Sequence, residues 1–405
     1  MSEQIKQTKL GFAGLGVGDS ILKVLEFLNL NIPTPIQTKS IPVIFAGQDL
    51  IGVAQTGTGK TFAFGIPMIE RLIINEEKGL ILLPTRELAL QVEENLRKLG
   101  SKFGLRIAVL IGGEAIGRQI RSIRNDPHII IATPGRLIDH LKRGEVRLKN
   151  VKILVLDEAD LMLDMGFIPQ IEEILEQIPK TRQTLLFSAT MPLQILKLAS
   201  NYMNLPIHIE IAPQGTTVEH VDQEIYVIKK EDKYIQLEKI LNQYNGSILV
   251  FARTKHGAKA LTKNLELSGY KVAEIHSNLS FNQRREAMAG FKNKRYRILI
   301  ATDIASRGID VSGIELVVNY DLPDNSEDYV HRIGRTARAG NIGKAISFAT
   351  PNQGKDILNI ERLINKKLNL TKFVELEQIK MRPTRSRYGR TMNFSRSRSR
   401  ARRSY

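Results

Sequence analysis

Lys152 to Phe167 reads KILVLDEADLMLDMGF. Its apolar run, Ile153 to Leu156, is short and contains β-branched residues, which suits a strand buried on both faces of a parallel sheet. Asp157, Glu158 and Asp160 crowd together where that run ends. Like charges at this spacing repel and lose hydration, so the arrangement calls for a hard cation nearby.

Working outward, the same pattern recurs along the chain. DLIGVAQTG, GLILLPT, RIAVLIGG, HIIIATPG and TLLFSAT join the opening stretch in the first half, and SILVFART, KVAEIHS, RILIATD, ELVVNYD and AISFAT occupy the second. Amphipathic helical stretches separate these runs, and many runs end in Gly, Ser, Thr or Asp. The alternation predicts an α/β protein of two open, mostly parallel sheets covered by helices. Ligands in such sheets bind beyond the carboxyl ends of the strands, where the polar residues gather. APQGTTVEH, with the Pro, Gly and Thr of a connector, divides the halves. We therefore expect domains at 1–210 and 221–372, a linker at 211–220 and a separate segment at 373–405.

Composition narrows the chemistry. With 405 residues and 42% hydrophobic content the chain can build two ordinary domains. It has no cysteine, which excludes disulfides, thiol catalysis and thiolate zinc sites, and its seven histidines show no paired ligand spacing. No apolar run is long enough to span a membrane, and MSEQIKQTKL is too polar for a secretory signal. We expect a soluble, cytoplasmic protein with no membrane partner. The net charge of +17 points to a polyanion, with nucleic acid first. Residues 381–405 carry nine Arg and no acid, leaving +8 for residues 1–380. That Arg/Ser-rich tail, nearly devoid of aliphatic residues, reads as disordered.

AQTGTGKT, Ala54 to Thr61, follows an apolar run and precedes the helical stretch FAFGIPMIERLII. The spacing is that of a phosphate-binding P-loop with Ala54 in place of the first Gly. Gln55, Thr56, Gly57, Thr58 and Gly59 form the loop whose N–H groups curl around phosphate, Lys60 adds a point charge, and Thr61 offers a hydroxyl to Mg²⁺. A bare glycine-rich turn is the competing reading, but strand, loop, Lys-Thr and helix occur in the required order. Beside this loop the opening acids acquire roles. Asp157 would hold the Mg²⁺ of a nucleotide, Glu158 would position and deprotonate the attacking water, and Asp160 would orient its neighbours.

Here the chain resembles the DEAD-box family of ATP-dependent RNA helicases, with two RecA-like domains, and the likeness covers nearly all of residues 10–370. PTPIQ (Pro33–Gln37) resembles the core of the adenine-reading Q motif, with Phe12 at its upstream aromatic position and Gln37 as reader. Pro84, Thr85 and Arg86 of PTRELA, the pair Gly112 and Gly113, and Thr133, Pro134, Gly135 and Arg136 resemble the family's RNA-backbone contacts in the first domain. SAT (Ser188–Thr190) resembles its coupling motif. In the second half VFARTKHGA, QRR, ATDIASRGID and HRIGRTARAG complete the set. The resemblance implies RNA contacts from Arg253, Gln283, Arg284, Thr302 and Arg307. It implies a ribose contact from Asp303, coupling through Ser188, Thr190 and His331, and arginine fingers at Arg335 and Arg338. VFARTKHGA and the Arg-rich tail are similar to the bacterial RhlE-like subgroup.

Three positions depart from the pattern. Leu30 stands where an aromatic residue usually stacks on adenine, Ala337 replaces a Gly in the last motif, and Ser277 replaces the Gly that often follows His276. Plainer roles also exist: Arg335 and Arg338, three apart at a predicted helical start, as solvated charges; Asp303 as a helix cap; Ser188 and Thr190 as partners of strand-end backbone. His140, His256 and His276 read as ordinary surface or packing residues.

What the resemblance implies is an enzyme that couples ATP, with Mg²⁺, to RNA clamping and local, non-processive unwinding of short duplexes. Two alternatives differ in class: a DNA translocase of the same superfamily, and an RNA clamp or chaperone dominated by the basic tail. Ribosome precursors and an RNA-degradation complex are the partners considered.

Overall fold

A computed structural model describes residues 11–55, 57–75, 77–211, 221–303, 313–336 and 343–372. Thr56, Arg307, Ala337, Arg338, the connector from 212 to 220 and the segment 373–405 lie outside the described residues, and so do the expectations placed on them.

The first lobe is built on strands β1 (Leu50–Val53), β2 (Lys78–Leu82), β3 (Ile107–Leu110), β4 (Ile129–Ala132), β5 (Val151–Leu156), β6 (Gln183–Ser188) and β7 (Ile207–Glu210). All neighbours pair in parallel, in the order β3-β4-β2-β5-β6-β1-β7. The second lobe comprises β8 (Val221–Val227), β9 (Ser247–Phe251), β10 (Val272–Ile275), β11 (Ile298–Ala301), β12 (Ile314–Asn319), β13 (Gly343–Ala349) and β14 (Asn369–Lys372). These strands run β10-β11-β9-β12-β13-β8-β14, again all parallel. Counted from its own first strand, each sheet reads third, fourth, second, fifth, sixth, first, seventh. The repeat seen in the sequence is thus one RecA-like topology used twice.

Helices α1 (Asp19–Phe27), α2 (Pro35–Phe45), α3 (Lys60–Asn75), α4 (Arg86–Gly100), α5 (Ile116–Arg124), α6 (Pro134–Lys142), α7 (Ala159–Asp164), α8 (Ile168–Leu175) and α9 (Leu193–Tyr202) belong to the first lobe. Helices α10 (Lys233–Gln243), α11 (Lys255–Leu267), α12 (Phe281–Lys292), α13 (Ser326–Ile333) and α14 (Gly354–Ile364) belong to the second. No helix among the described residues is long and apolar enough to cross a membrane.

The opening stretch behaves as its composition predicts. Ile153 and Val155 join one apolar cluster while Leu154 and Leu156 join another, so β5 buries both faces and the sheet separates two cores. The second lobe repeats this, with Leu249 and Phe251 of β9 in one cluster and Ile248 and Val250 in the other. Phe281, at the start of α12, is the exception to this division, because it packs in a first-lobe cluster. Local chemistry starts the helices that carry the motifs. Pro35 and Pro134 occupy first-turn positions of α2 and α6, Thr85 Oγ1 accepts from Leu88 N at 3.3 Å, and Ser280 and Gln283 form a reciprocal capping box.

Candidate nucleotide and RNA site

The loop between β1 and α3 turns on glycines with left-handed backbone, Gly57 at φ 84° and Gly59 at φ 93°. At Gly59 a Cβ would also collide with the amide of Gln37. The loop leads into the N-terminus of α3, where exposed N–H groups and the helix dipole favour an anion. Lys60, first residue of that helix, places Nζ 3.0 Å from Glu158 Oε1, and their side chains are only 5% and 8% exposed. Burial by itself pulls Lys60 down, but Glu158, Asp157 and Asp160 together raise it, so its ammonium stays charged. Asp157 is pushed up to about 7, first by burial, with Lys60 pulling it down and Glu158 adding to the rise.

Glu158 itself adopts a left-handed conformation, φ 54° and ψ 51°. For a residue with a side chain this costs on the order of 1–3 kcal/mol and needs surrounding structure to hold it. Asp157 Oδ1 accepts from Glu158 N at 3.0 Å, and Met162 N donates to Glu158 O at 3.0 Å. The strained turn is what lets the residue after a buried strand aim its carboxylate at Lys60.

Asp160 is the junction between this turn and the SAT segment. Its Oδ2 accepts from Ala189 N, Thr190 N and Thr190 Oγ1 at 3.2, 2.9 and 3.1 Å, while its own N–H donates to Ser188 Oγ at 3.1 Å. Ala54 N donates to Ser188 O at 3.0 Å. The P-loop, the acidic turn and SAT therefore share one hydrogen-bonded patch at the carboxyl ends of β1, β5 and β6.

Gln37 sits over the same loop. Its Oε1 accepts from Thr34 N at 2.9 Å and its Nε2 donates to Gly59 O at 3.1 Å, so one amide clips the start of α2 to the P-loop. Phe12 is buried in the first-lobe core, and Leu30 packs against that cluster.

The second lobe reaches this region through the turn after α13. A Cβ on Gly334 would lie 3.9 Å from Gln55 Oε1, which brings the turn against the P-loop. Arg335 is buried, and its Nε donates to His331 O at 3.1 Å. It does not begin a helix, as its spacing from Arg338 had suggested. The helix ends at Ile333, and short i to i+3 bonds from Arg335 N to Arg332 O and from Thr336 N to Ile333 O tighten the chain into a turn.

Asp303 lies opposite Arg332, which donates through Nε at 2.5 Å and Nη2 at 2.7 Å, a bidentate pair. Arg332 also donates to Asn319 Oδ1 and Asp321 O and stacks its guanidinium 5.0 Å from the Phe251 ring centroid. This fully buried arginine holds α13 to the ends of β9, β11 and β12. The sequence reading passed over it, although it stands beside His331 in the quoted motif.

The candidate RNA residues gather at the carboxyl ends of β2, β3 and β4. Arg86 lays its guanidinium against Gly112 and Gly113, and Gly113 (φ 80°) has no room for a Cβ beside it. Pro84 and Thr85 lead into α4, while Thr133, Pro134, Gly135 and Arg136 begin α6. Arg136 Nε is 3.7 Å from Asp139 Oδ2. In the second lobe Arg253 donates from its backbone to Asp321 Oδ2 and from Nη2 to Leu322 O, both at 3.2 Å, and Thr302 N donates to Ile275 O at 3.3 Å. Gln283 uses its Oε1 in the α12 cap. Arg284 Nε lies 3.0 Å from Glu87 Oε1, an ion pair that crosses between the lobes beside Phe281. Sequence reasoning missed Glu87 and Phe281, though Glu87 lies inside PTRELA and Phe281 two residues before QRR.

Two family models match the chain in this order: DEAD/DEAH box helicase at residues 34–198 and Helicase conserved C-terminal domain at residues 232–340. The DEAD-box ATP-dependent RNA helicase CshA of Bacillus cereus is 44% identical over 361 residues, covering 88% of this chain and 69% of the relative. The chain belongs to the DEAD-box ATP-dependent RNA helicases. DEAD-box helicases hydrolyse ATP, and membership decides against the DNA translocase at the level of the family. The finer RhlE-like resemblance rests on VFARTKHGA and the tail alone.

Among solved DEAD-box structures, S. cerevisiae Dbp5 bound to RNA and ADP BeF3 superimposes with a TM-score of 0.81 at 30% identity, over 89% of this chain and 95% of that one. A DEAD box protein from Methanococcus jannaschii is 41% identical over 90% of this chain and 100% of that one, yet its TM-score is 0.54.

Proposed function

We propose that this DEAD-box helicase hydrolyses ATP in the cleft at the ends of β1 and β5, and clamps single-stranded RNA across both lobes. Closure bends the bound strand and opens a short duplex locally, without translocation. The observation that carries the reading is the buried meeting of Lys60 and Glu158, side chains 98 positions apart in sequence. One supplies fixed positive charge at a helix N-terminus and the other a base held in strain beside it.

Asp157 and the Thr61 hydroxyl are hard oxygen donors of the kind Mg²⁺ takes. Among the described residues no three His, Asp or Glu form a self-sufficient metal cage, which suits an ion that completes its shell with nucleotide phosphate and water. When bound, the ion would neutralise charge on the phosphate oxygens. The protein's own groups do the rest. Lys60 and the loop N–H groups hold the phosphates, and Glu158 accepts the proton of the water that attacks the γ-phosphoryl group, giving ADP and phosphate. Arg335 and Arg338 offset charge on the transferred group from the second lobe. Gln37, with the lone pair and N–H that Thr34 and Gly59 leave over, reads the adenine edge beside Phe12 and Leu30. Asp303, paired with Arg332 just beyond the end of β11, reaches the ribose.

RNA runs past Arg86, Gly112, Gly113 and Arg136 in the first lobe and Arg253, Gln283, Arg284, Thr302 and Arg307 in the second, contacted through phosphate and 2′-hydroxyl and so without sequence preference. Ser188, Thr190 and His331 relay occupancy of one site to the other. This reading puts the protein in the cytoplasm, acting on ribosome precursors or with an RNA-degradation complex; crosslinking in cells and sequencing the bound RNA identifies the target.

Glu158→Gln tests the reading. It should lower steady-state RNA-stimulated ATPase at least about a hundredfold while ATP-dependent RNA binding persists. Near-normal turnover would remove Glu158 from the role. Lys60→Ala should instead weaken nucleotide binding itself.

A further inference from the structure

His140 reads in sequence as a packing residue, yet it is completely buried and both ring nitrogens are engaged. Nε2 lies 2.9 Å from Gln119 Oε1, and Nδ1 lies 2.5 Å from Glu145 Oε2. Gln119, on α5 and 1% exposed, passes the connection on, because its Nε2 donates to Ile111 O at 2.7 Å. Ile111 immediately precedes Gly112 and Gly113. The carbonyl before it, Leu110 O, accepts from Thr133 N at 3.0 Å, at the foot of the Thr133–Arg136 segment.

The donor and acceptor roles follow from this chain. A carbonyl only accepts, so the Gln119 amide must turn its nitrogen to Ile111 and its oxygen to His140. His140 Nε2 must then carry hydrogen. Nδ1 faces Glu145 Oε2 at 2.5 Å, so both ring nitrogens are held and the ring is fixed in place. Glu145 is itself anchored, its N–H donating to His140 O at 3.0 Å.

From this geometry we infer that His140 is a positioning residue for RNA binding. Through Gln119 it sets the Gly112–Gly113 loop against α6, whose N-terminus presents Thr133 to Arg136, and Glu145 holds its ring in place. The inference rests on the reading that these loops contact RNA, and it adds a residue that touches no RNA itself.

The test uses the full chain, ATP, and single-stranded oligouridylate as RNA. Gln119→Glu is nearly isosteric but turns an acceptor toward Ile111 O. It should raise the RNA concentration for half-maximal ATPase about fivefold or more, the value of one hydrogen bond, with KM for ATP and kcat at saturating RNA unchanged. Gln119→Met removes the donor without burying a charge and reads the same loss should Gln119→Glu melt early. His140→Ala should raise the RNA requirement less, and combined with Gln119→Met it should add nothing, because it acts through Gln119. Glu145→Gln, whose amide can donate to Nδ1 of a neutral ring, should behave nearly as wild type. Arg136→Ala serves as the control for the RNA reading. If it leaves the RNA requirement unchanged, that reading of the loops fails. If it raises the requirement while Gln119→Met and His140→Ala do not, or if the two combine additively, the positioning role is overturned.

Discussion

Gln37 shows how one side chain ties recognition to structure. The amide expected to read adenine also bonds Thr34 N and Gly59 O, so its loss releases the P-loop as well as the base. With two bonds of about 1 kcal/mol each at stake, Gln37→Ala should weaken ATP binding by about thirtyfold and reduce preference for ATP over GTP. Titration of both nucleotides into the variant checks this; unchanged affinity and preference would count against Gln37 on both points. At this scale the sequence was legible where chemistry is packed into contiguous words. Lys60, Glu158 and Asp160 could be named because their neighbours in sequence already spelled a phosphate loop and an acidic strand end. Gln119, His140 and Arg332 could not. Their partners lie 8, 21 and 29 residues away, and nothing in their own surroundings announces the pairing.

Among elements, strands with an unbroken apolar run were legible, the edge strands β3 and β10 among them, while β7, β8 and β14 were not. All four residues of β1 are buried and apolar or Gly, and in β6 the apolar Leu185–Phe187 sits between buried Gln183, Thr184 and Ser188, so each shows a short apolar run. β7 exposes three of its four residues, β8 (VDQEIYV) alternates apolar with polar, and β14 (NLTK) carries one aliphatic residue. None has the composition of a strand covered on both faces. The α10 and β12 elements are joined by a pair the sequence did not suggest, Lys233 Nζ to Asp321 Oδ1 at 2.7 Å. Burial would raise the Asp321 carboxyl, but the Lys233 bond and charge, with Arg253, hold it below its usual value. The unfolded chain therefore binds the proton more readily than the folded one. The stabilisation is present above the ordinary carboxylate pKa of about 4 and is lost as pH falls through the lower, folded value. Thermal melting between pH 7 and about pH 3 should show a shallower acid decline for Asp321→Asn than for wild type, and Lys233→Met should cost about 2 kcal/mol or more near neutral pH. Parallel acid limbs in wild type and Asp321→Asn would contradict the assignment.

On the scale of the whole molecule, charge and closure are separate devices. The nine Arg of residues 381–405 are suited to a sequence-independent anchor on RNA. Each phosphate contact on a single strand lowers log affinity by roughly 0.7 per unit of log salt, so engaging about half of these arginines gives roughly 3 units of slope. Deleting 381–405 should remove that slope and raise the RNA concentration for half-maximal ATPase, leaving the maximal rate intact. A truncation with unchanged salt slope would show that the tail does not lie along RNA.

The proposed closure concerns the folded lobes. Gly334 approaches Gln55 at the P-loop, and Arg284 pairs with Glu87 beside the inserted Phe281, so the two lobes meet at these points. The arrangement matches that of the relative bound to RNA and ADP BeF3. If ATP and RNA both bind the closed form better than the open one, each promotes the other and neither alone closes the cleft fully. Because the chain has no cysteine, one can be introduced at exposed Lys197 and another at exposed Lys263 for fluorescence energy transfer without altering native thiols. The account predicts a large change in transfer only with ATP and RNA together, reaching the lobe separation described here, and loss of that change in Arg335→Ala. The same transfer with either ligand alone as with both, or full closure in Arg335→Ala, would contradict it.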